Sequence, residues 1–175
     1  MKKIAMLLSV VFVCAIGAFA QTPSFAGTWK LDTSKLDEQR AARIESQTIT
    51  AEQTSTELKA TTTTVPKAAP AGGGGQGGGG GFGGGGGGPV TYKLDGSEVV
   101  SERDTPNGKI AIKTTAKIEG GKLNVTTSSV GPDGTERKSI TIWELSADGK
   151  TLTVKTTRPG RDGTPMTTES VYTKN

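Results

Sequence analysis

Chemistry in this chain has to come from carboxylates, lysines, arginines, tyrosines and hydroxyls. It has no histidine, and its single cysteine, Cys14, lies within the first twenty residues. Once those residues are removed there is no thiol nucleophile, no imidazole base, no disulfide and no Cys/His metal site. A pair of carboxylates can act as general acid and base, so the acids are the candidates to weigh. Asp95, Asp133, Asp148 and Asp162 each precede a glycine, the pattern of a tight turn. Glu98, Glu102, Glu136 and Glu144 fall in strand-like segments and read as surface charges. No Asp-x-Asp-x-Asp loop offers a calcium site. The expectation is a protein that is not an enzyme, with no catalytic residue, no metal and no cofactor.

The elements that would position these groups are strands. From Pro89 onward, turn dipeptides recur at near-even spacing: Asp95-Gly96, Asn107-Gly108, Gly120-Gly121, Asp133-Gly134, Asp148-Gly149 and Asp162-Gly163. Such pairs supply the positive φ angles of hairpins. Over residues 109–118, Ile110, Ile112, Ala116 and Ile118 share one face and Lys109, Lys113 and Lys117 the other, a period of two. Leu123 with Val125, Ile140 with Ile142, and Leu152 with Val154 repeat the pattern. Threonine, at 27 residues the commonest type, suits strands. Upstream, residues 25–32 read as a first strand. Asp32-Thr33-Ser34 offers an N-cap to one short helix over 35–44, and 47–51 with 56–64 form a hairpin. The fold class expected is all-β, an antiparallel up-and-down meander closing into a barrel, with one short helix after the first strand.

Residues 1–20 carry the marks of a cleaved export signal: Lys2 and Lys3, a short apolar run, then Ala18-Phe19-Ala20 before Gln21. The run falls short of the roughly 20 residues that span a bilayer, and Val13 argues against lipidation at Cys14. The mature chain, 21–175, is expected to be one exported domain, periplasmic or extracellular, with no transmembrane anchor. Two of the 21 basic residues leave with the signal, so 19 face 17 acids. With no Lys/Arg cluster, nucleic acid is not an expected partner.

A Pro/Ala/Gly-rich stretch over 66–89 interrupts the domain, and residues 72–88 hold 15 glycines in 17 positions. Ordering it would cost about 1 to 2 kcal/mol per residue, whereas burying Phe82 returns only about 1.5 to 3 kcal/mol. We expect a flexible linker. No Gly-Lys-Ser/Thr follows to make it a phosphate loop.

Phe25-Ala26-Gly27-Thr28-Trp29-Lys30-Leu31-Asp32 resembles the opening strand of the calycins, the lipocalin and fatty-acid-binding protein group, whose mark is Gly-x-Trp. Glu144-Leu145, Asp148-Gly149-Lys150, Leu152 and Tyr172-Thr173-Lys174 resemble that group's last hairpin. Because the chain carries an export signal, the resemblance is to secreted bacterial lipocalin-like proteins. It implies a barrel holding an apolar ligand, with Gly27 and Trp29 as structural signature residues. Fatty-acid-binding proteins hold a carboxylate on two arginines, and at those places this chain has Trp143 and Ser170. The lipocalin arginine that covers the indole has Arg158 as its candidate here.

Trp29 is expected to close the core. Trp143, on the opposite phase from Ile140 and Ile142, faces outward if those isoleucines face in. Two functions remain open: a monomeric carrier of an apolar, neutral small molecule, or a structural or protein-interaction module of the cell envelope. The scarcity of large aliphatics points to an under-filled interior and favours the carrier. The residues that would line its ligand site are not identifiable from the sequence. An outer-membrane barrel fits poorly, since the outward faces are charged.

Overall fold

A computed structural model describes residues 22–68, 88–105, 108–131, 134–160 and 162–175. Residues 1–20 and residues 69–87 of the linker lie outside them, as do Asn107 and Asp133. The chain forms one antiparallel ten-stranded sheet: β1 (Gly27–Leu31), β2 (Ile44–Gln53), β3 (Glu57–Pro66), β4 (Val90–Lys93), β5 (Val99–Thr105), β6 (Gly108–Glu119), β7 (Lys122–Val130), β8 (Glu136–Leu145), β9 (Thr151–Pro159) and β10 (Pro165–Lys174). Their spatial order is β4-β3-β2-β1-β10-β9-β8-β7-β6-β5, so every neighbour pair except β1 with β10 is also a sequence neighbour. This is the expected all-β meander. Its two edges, β4 and β5, are consecutive in the chain. An isolated bridge from Asp95 to Lys117 and a 3.0 Å hydrogen bond from Gly96 N to Ala116 O draw the edges together, and the barrel nearly closes.

Gly120-Gly121, Asp148-Gly149 and Asp162-Gly163 fall at hairpins between adjacent strands, as do Gly108 and Gly134. Gly149 and Gly163 adopt φ of 67° and 83° there, a region where side chains other than glycine's are strained. Asp95-Gly96 differs: it marks the barrel's closing point and joins no ladder between β4 and β5. The Asp carboxylates serve the turns. Asp148 accepts from Lys150 N and Asp162 from Thr164 N, at 3.1 and 3.0 Å. Hydrogen bonds from neighbouring hydroxyls and amides, chiefly Ser97 for Asp95, Ser146 for Asp148 and Thr164 for Asp162, hold these carboxyls below their usual range. Glu98, Glu102 and Glu144 are paired on the surface with Lys113, Lys109 and Lys122.

The helix is shorter than expected. Asp32 accepts from Ser34 N and starts only a 3-10 turn, Thr33–Lys35, while Asp37 accepts from Arg40 N and caps α1 (Glu38–Ala41). Two caps within five residues break the helix, and Ile44 joins β2 instead.

The core lies inside the barrel and takes alternate residues from almost every strand. Phe25, Trp29, Ile49, Leu58, Leu123, Leu152, Val154 and Tyr172 are completely buried. The β6 alternation appears as expected, with Ile112 and Ala116 buried and Lys109, Lys113 and Lys117 exposed. Trp143 corrects the reading from its neighbours: it is buried, and Ile140 is 43% exposed. Register explains it. Trp143 lies opposite Leu123 on β7 and Val154 on β9, both core residues.

Candidate ligand-binding site

On six of the strands the inward side chains change character at about the same height. On β2 and β3 the inward series runs Ala51, Ile49, Gln47 and Leu58, Ala60, Thr62, Thr64. On β7 it is Leu123, Val125, Thr127, Ser129, and on β8 Leu145, Trp143, Thr141, Ser139, Arg137. On β9 and β10 it is Leu152, Val154, Thr156, Arg158 and Tyr172, Ser170, Thr168, Met166. One half of the barrel is therefore apolar and the other is lined largely by hydroxyls, with Ile110 and Ile112 of β6 as apolar members of its wall.

The apolar half is closed by aromatic packing. The Trp29 indole N–H donates to Phe25 O at 2.9 Å. Trp143 meets Phe25 and Tyr92 edge-on, at centroid distances of 6.1 and 6.4 Å, a favoured geometry for aromatic rings. Gly27, at φ 134°, leaves room for Lys174: a Cβ there would come within 2.9 Å of the lysine Cε. The Lys174 ammonium then sits 5.2 Å from the Trp29 ring centroid, a cation–π contact. Lys174 thus takes the place for which Arg158 was the candidate. Arg158 faces inward at the far end of β9, opposite Met166.

In the other half the inward hydroxyls form a belt. Thr114 lies opposite Thr127, Thr127 opposite Ser139, and Thr156 opposite both Thr141 and Thr168. The Thr141 and Thr156 hydroxyls are 3.0 Å apart. Except for buried Thr114, these residues are only partly buried. The apolar side chains turned inward beside them include Ile110 and Ile112 of β6 and Met166 of β10, and among the described residues no aromatic ring packs there as at the other end.

Between the halves lies a polar network. The Tyr172 hydroxyl donates to Gln47 Oε1, and Gln47 Nε2 donates to Thr64 Oγ1, each at 2.7 Å. Arg40, from α1, donates through Nη2 to Ser170 Oγ at 2.7 Å and through Nη1 to the Glu169 carbonyl at 2.9 Å. Ser170 is 1% exposed. Burial pushes the Tyr172 hydroxyl up to about 12, against the opposing pull of Ser170 and of the Arg40 charge. Burial alone pushes Tyr92 to about 12 as well.

These placements bear on the neutral-ligand expectation, which took the anchor positions to lack a cation. Trp143 fills its place with packed indole. Ser170 receives a guanidinium, supplied by the helix. Arg40 carries no motif, and it lies 130 residues from Ser170 in the chain. Among the strand cations, Arg103 and Arg137 lie on the inward register opposite Ile110 and Ser129. Lys155 faces out and pairs with Glu169 at 3.1 Å. A separate groove of about 150 Å³ on the outer face, lined by Thr50, Glu52, Lys59, Thr61 and Pro89, has no converging donor set.

No family model matches the chain, and no curated protein is similar to it. Among solved structures, a zebrafish ileal bile acid-binding protein complexed with cholic acid is similar at 19% identity. That match covers 86% of this chain and 98% of the other, with a TM-score of 0.48. A Schistosoma mansoni fatty acid binding protein in complex with arachidonic acid is similar at 16% identity, covering 88% and 98%, also with a TM-score of 0.48. Likeness at this level transfers no ligand. The barrel is established by its own strand order.

Proposed function

We propose that the chain is an exported carrier of a small, mainly apolar molecule, held in the hydroxyl-lined half of the barrel. The observation that carries this is the change of lining: below Thr127 and Thr141 the interior is packed, above them it is lined mainly by partly exposed Thr and Ser, with Ile110 and Ile112 of β6 among them. Threonine presents both a methyl and a hydroxyl, so such a wall suits an alkyl or ring body with few polar atoms. The deep part of the ligand is uncharged, since Trp143 occupies one anchor position and Arg40 already engages Ser170 at the other. Export rests on the leader, residues 1–20.

The alternative, an envelope interaction module, is weakened because Trp143, its candidate outer contact, is inside. The experiment is calorimetric titration of a medium-chain alcohol into the mature chain and into Thr127→Phe, which fills the cup. Binding lost in the variant with unchanged melting supports the carrier. Failure of the native chain to bind alcohols or other neutral apolar probes transfers the weight to the module.

A further inference from the structure

We propose that the mouth of the barrel holds a phosphate-type oxyanion at the outer end of the ligand, on guanidinium groups of the inner wall. The proposal rests on the carrier reading and specifies the part of the ligand that reading leaves open.

Its basis is a sorting by face of the cations of β3 to β9, Lys174 of β10 being turned in over Trp29 at the packed end. The lysines of β3 to β9 all fall on the outward register. Lys109, Lys113, Lys122 and Lys155 are ion-paired there with glutamates. The strand arginines Arg103, Arg137 and Arg158 all fall on the inward register, toward the mouth. Among the described residues of β3 to β10, every acid lies on the outward register. Lysine is a strongly hydrated point charge that suits an outer face, whereas the planar guanidinium forks onto carboxylate or phosphate oxygens. An inner wall that turns arginines and no acids inward over β3 to β10 focuses an anion-attracting potential into the mouth.

Ile140 pairs with Thr157, which sets Arg137 and Arg158 diagonally on adjacent strands. Arg137 is also engaged within the protein, so the argument leans on Arg103 and Arg158. Arg40 extends the positive wall beyond β10 from the helix side. A single carboxylate offsets only one of these charges. A phosphate monoester carries about −1.5 to −2 at neutral pH and offers three acceptor oxygens, a closer match in charge and geometry.

The test titrates dodecanol and dodecyl phosphate, below their aggregation concentrations, into the mature chain, R103Q/R158Q and K109Q/K155Q. The last removes the same charge from the outer face, and melting curves check that each variant is folded. R103K/R158K, which keeps charge and loses the fork, stands in if the glutamine variant does not fold. We expect dodecyl phosphate to bind at least about tenfold tighter than dodecanol, the scale of a hydrogen bond to a charged group. R103Q/R158Q should lose that margin and K109Q/K155Q should keep it. Equal affinities, or a margin that survives R103Q/R158Q, overturn the oxyanion site while leaving the carrier intact. If neither compound binds, the carrier reading fails and this proposal falls with it. Cosedimentation with phosphatidylglycerol vesicles separates a soluble ligand from a lipid surface. Arginine-dependent capture on vesicles, with no margin for dodecyl phosphate in solution, overturns the proposal in favour of headgroup docking.

Discussion

The two halves of the barrel share the same strands and differ in what those strands turn inward. Leu123 and Val125 on β7 are followed by Thr127 and Ser129; Leu152 and Val154 on β9 are followed by Thr156 and Arg158. In the first half Trp29, Phe25 and Trp143 interlock at the bottom of the barrel. In the second, pairs such as Thr141 and Thr156 satisfy one another across strands and remain partly exposed. On the proposed carrier reading, stability and recognition are separated along the barrel axis, and a substitution should act on one with little effect on the other.

The largest test of this separation is Trp143→Ala. It should cost about 3 to 5 kcal/mol, as should Trp29→Ala, because each empties a large, fully packed site. Chemical denaturation measures both. A small loss for Trp143 would place it outside the packed half and break the comparison.

Next comes alkaline titration. The chain's two tyrosines, Tyr92 and Tyr172, are both pushed up to about 12 by burial, against about 10 in the unfolded chain. The folded state therefore holds their protons more tightly. The associated stability is complete below about pH 10 and is lost as pH rises toward 12. The tyrosinate absorbance should stay flat through pH 10 and rise together with unfolding. An early rise from one tyrosine would show that the packed half is open to water.

Tyr172→Phe removes the donor to Gln47 Oε1 and should cost about 1 to 3 kcal/mol for the acceptor left in a buried place. Thermal melts at fixed pH measure it. Thr141→Val, in the hydroxyl-lined half, should change stability by less than about 1 kcal/mol, because solvent reaches the Thr156 hydroxyl it leaves. Its effect should appear in ligand affinity. A large loss of stability there would mean that the belt is structural. The smallest change is Lys155→Gln on the outer face, within about 0.5 kcal/mol, since its pair with Glu169 is half exposed.

Much of the barrel was legible from local pattern. The period of two in β6 and the glycine turns set strand positions and succession, because each depends only on backbone geometry a few residues long. Trp143 was not legible. A period of two divides a strand into two faces and does not say which is inside; Ile140 and Ile142 gave the wrong sign, and pairing with Leu123 and Val154 supplied the right one. The helix boundary was missed because two aspartates compete as caps within five residues. Of the candidate site, the abundance of threonine was visible, but its collection at one end was not. That reading requires the inward set of every strand to be known and aligned at once.

By itself the sequence determined the chemistry that residues 21–175 lack, the succession of strands and the identity of the turns, because composition and nearest-neighbour geometry are carried by the chain directly. Only the tertiary structure decided which side of each strand faces in. It alone brought Arg40 to Ser170 across 130 residues and Lys174 over Trp29, and divided the interior into a packed half and a hydroxyl-lined half. Those outcomes depend on register between strands far apart in sequence, and register is an energy of the whole barrel rather than of any segment of it.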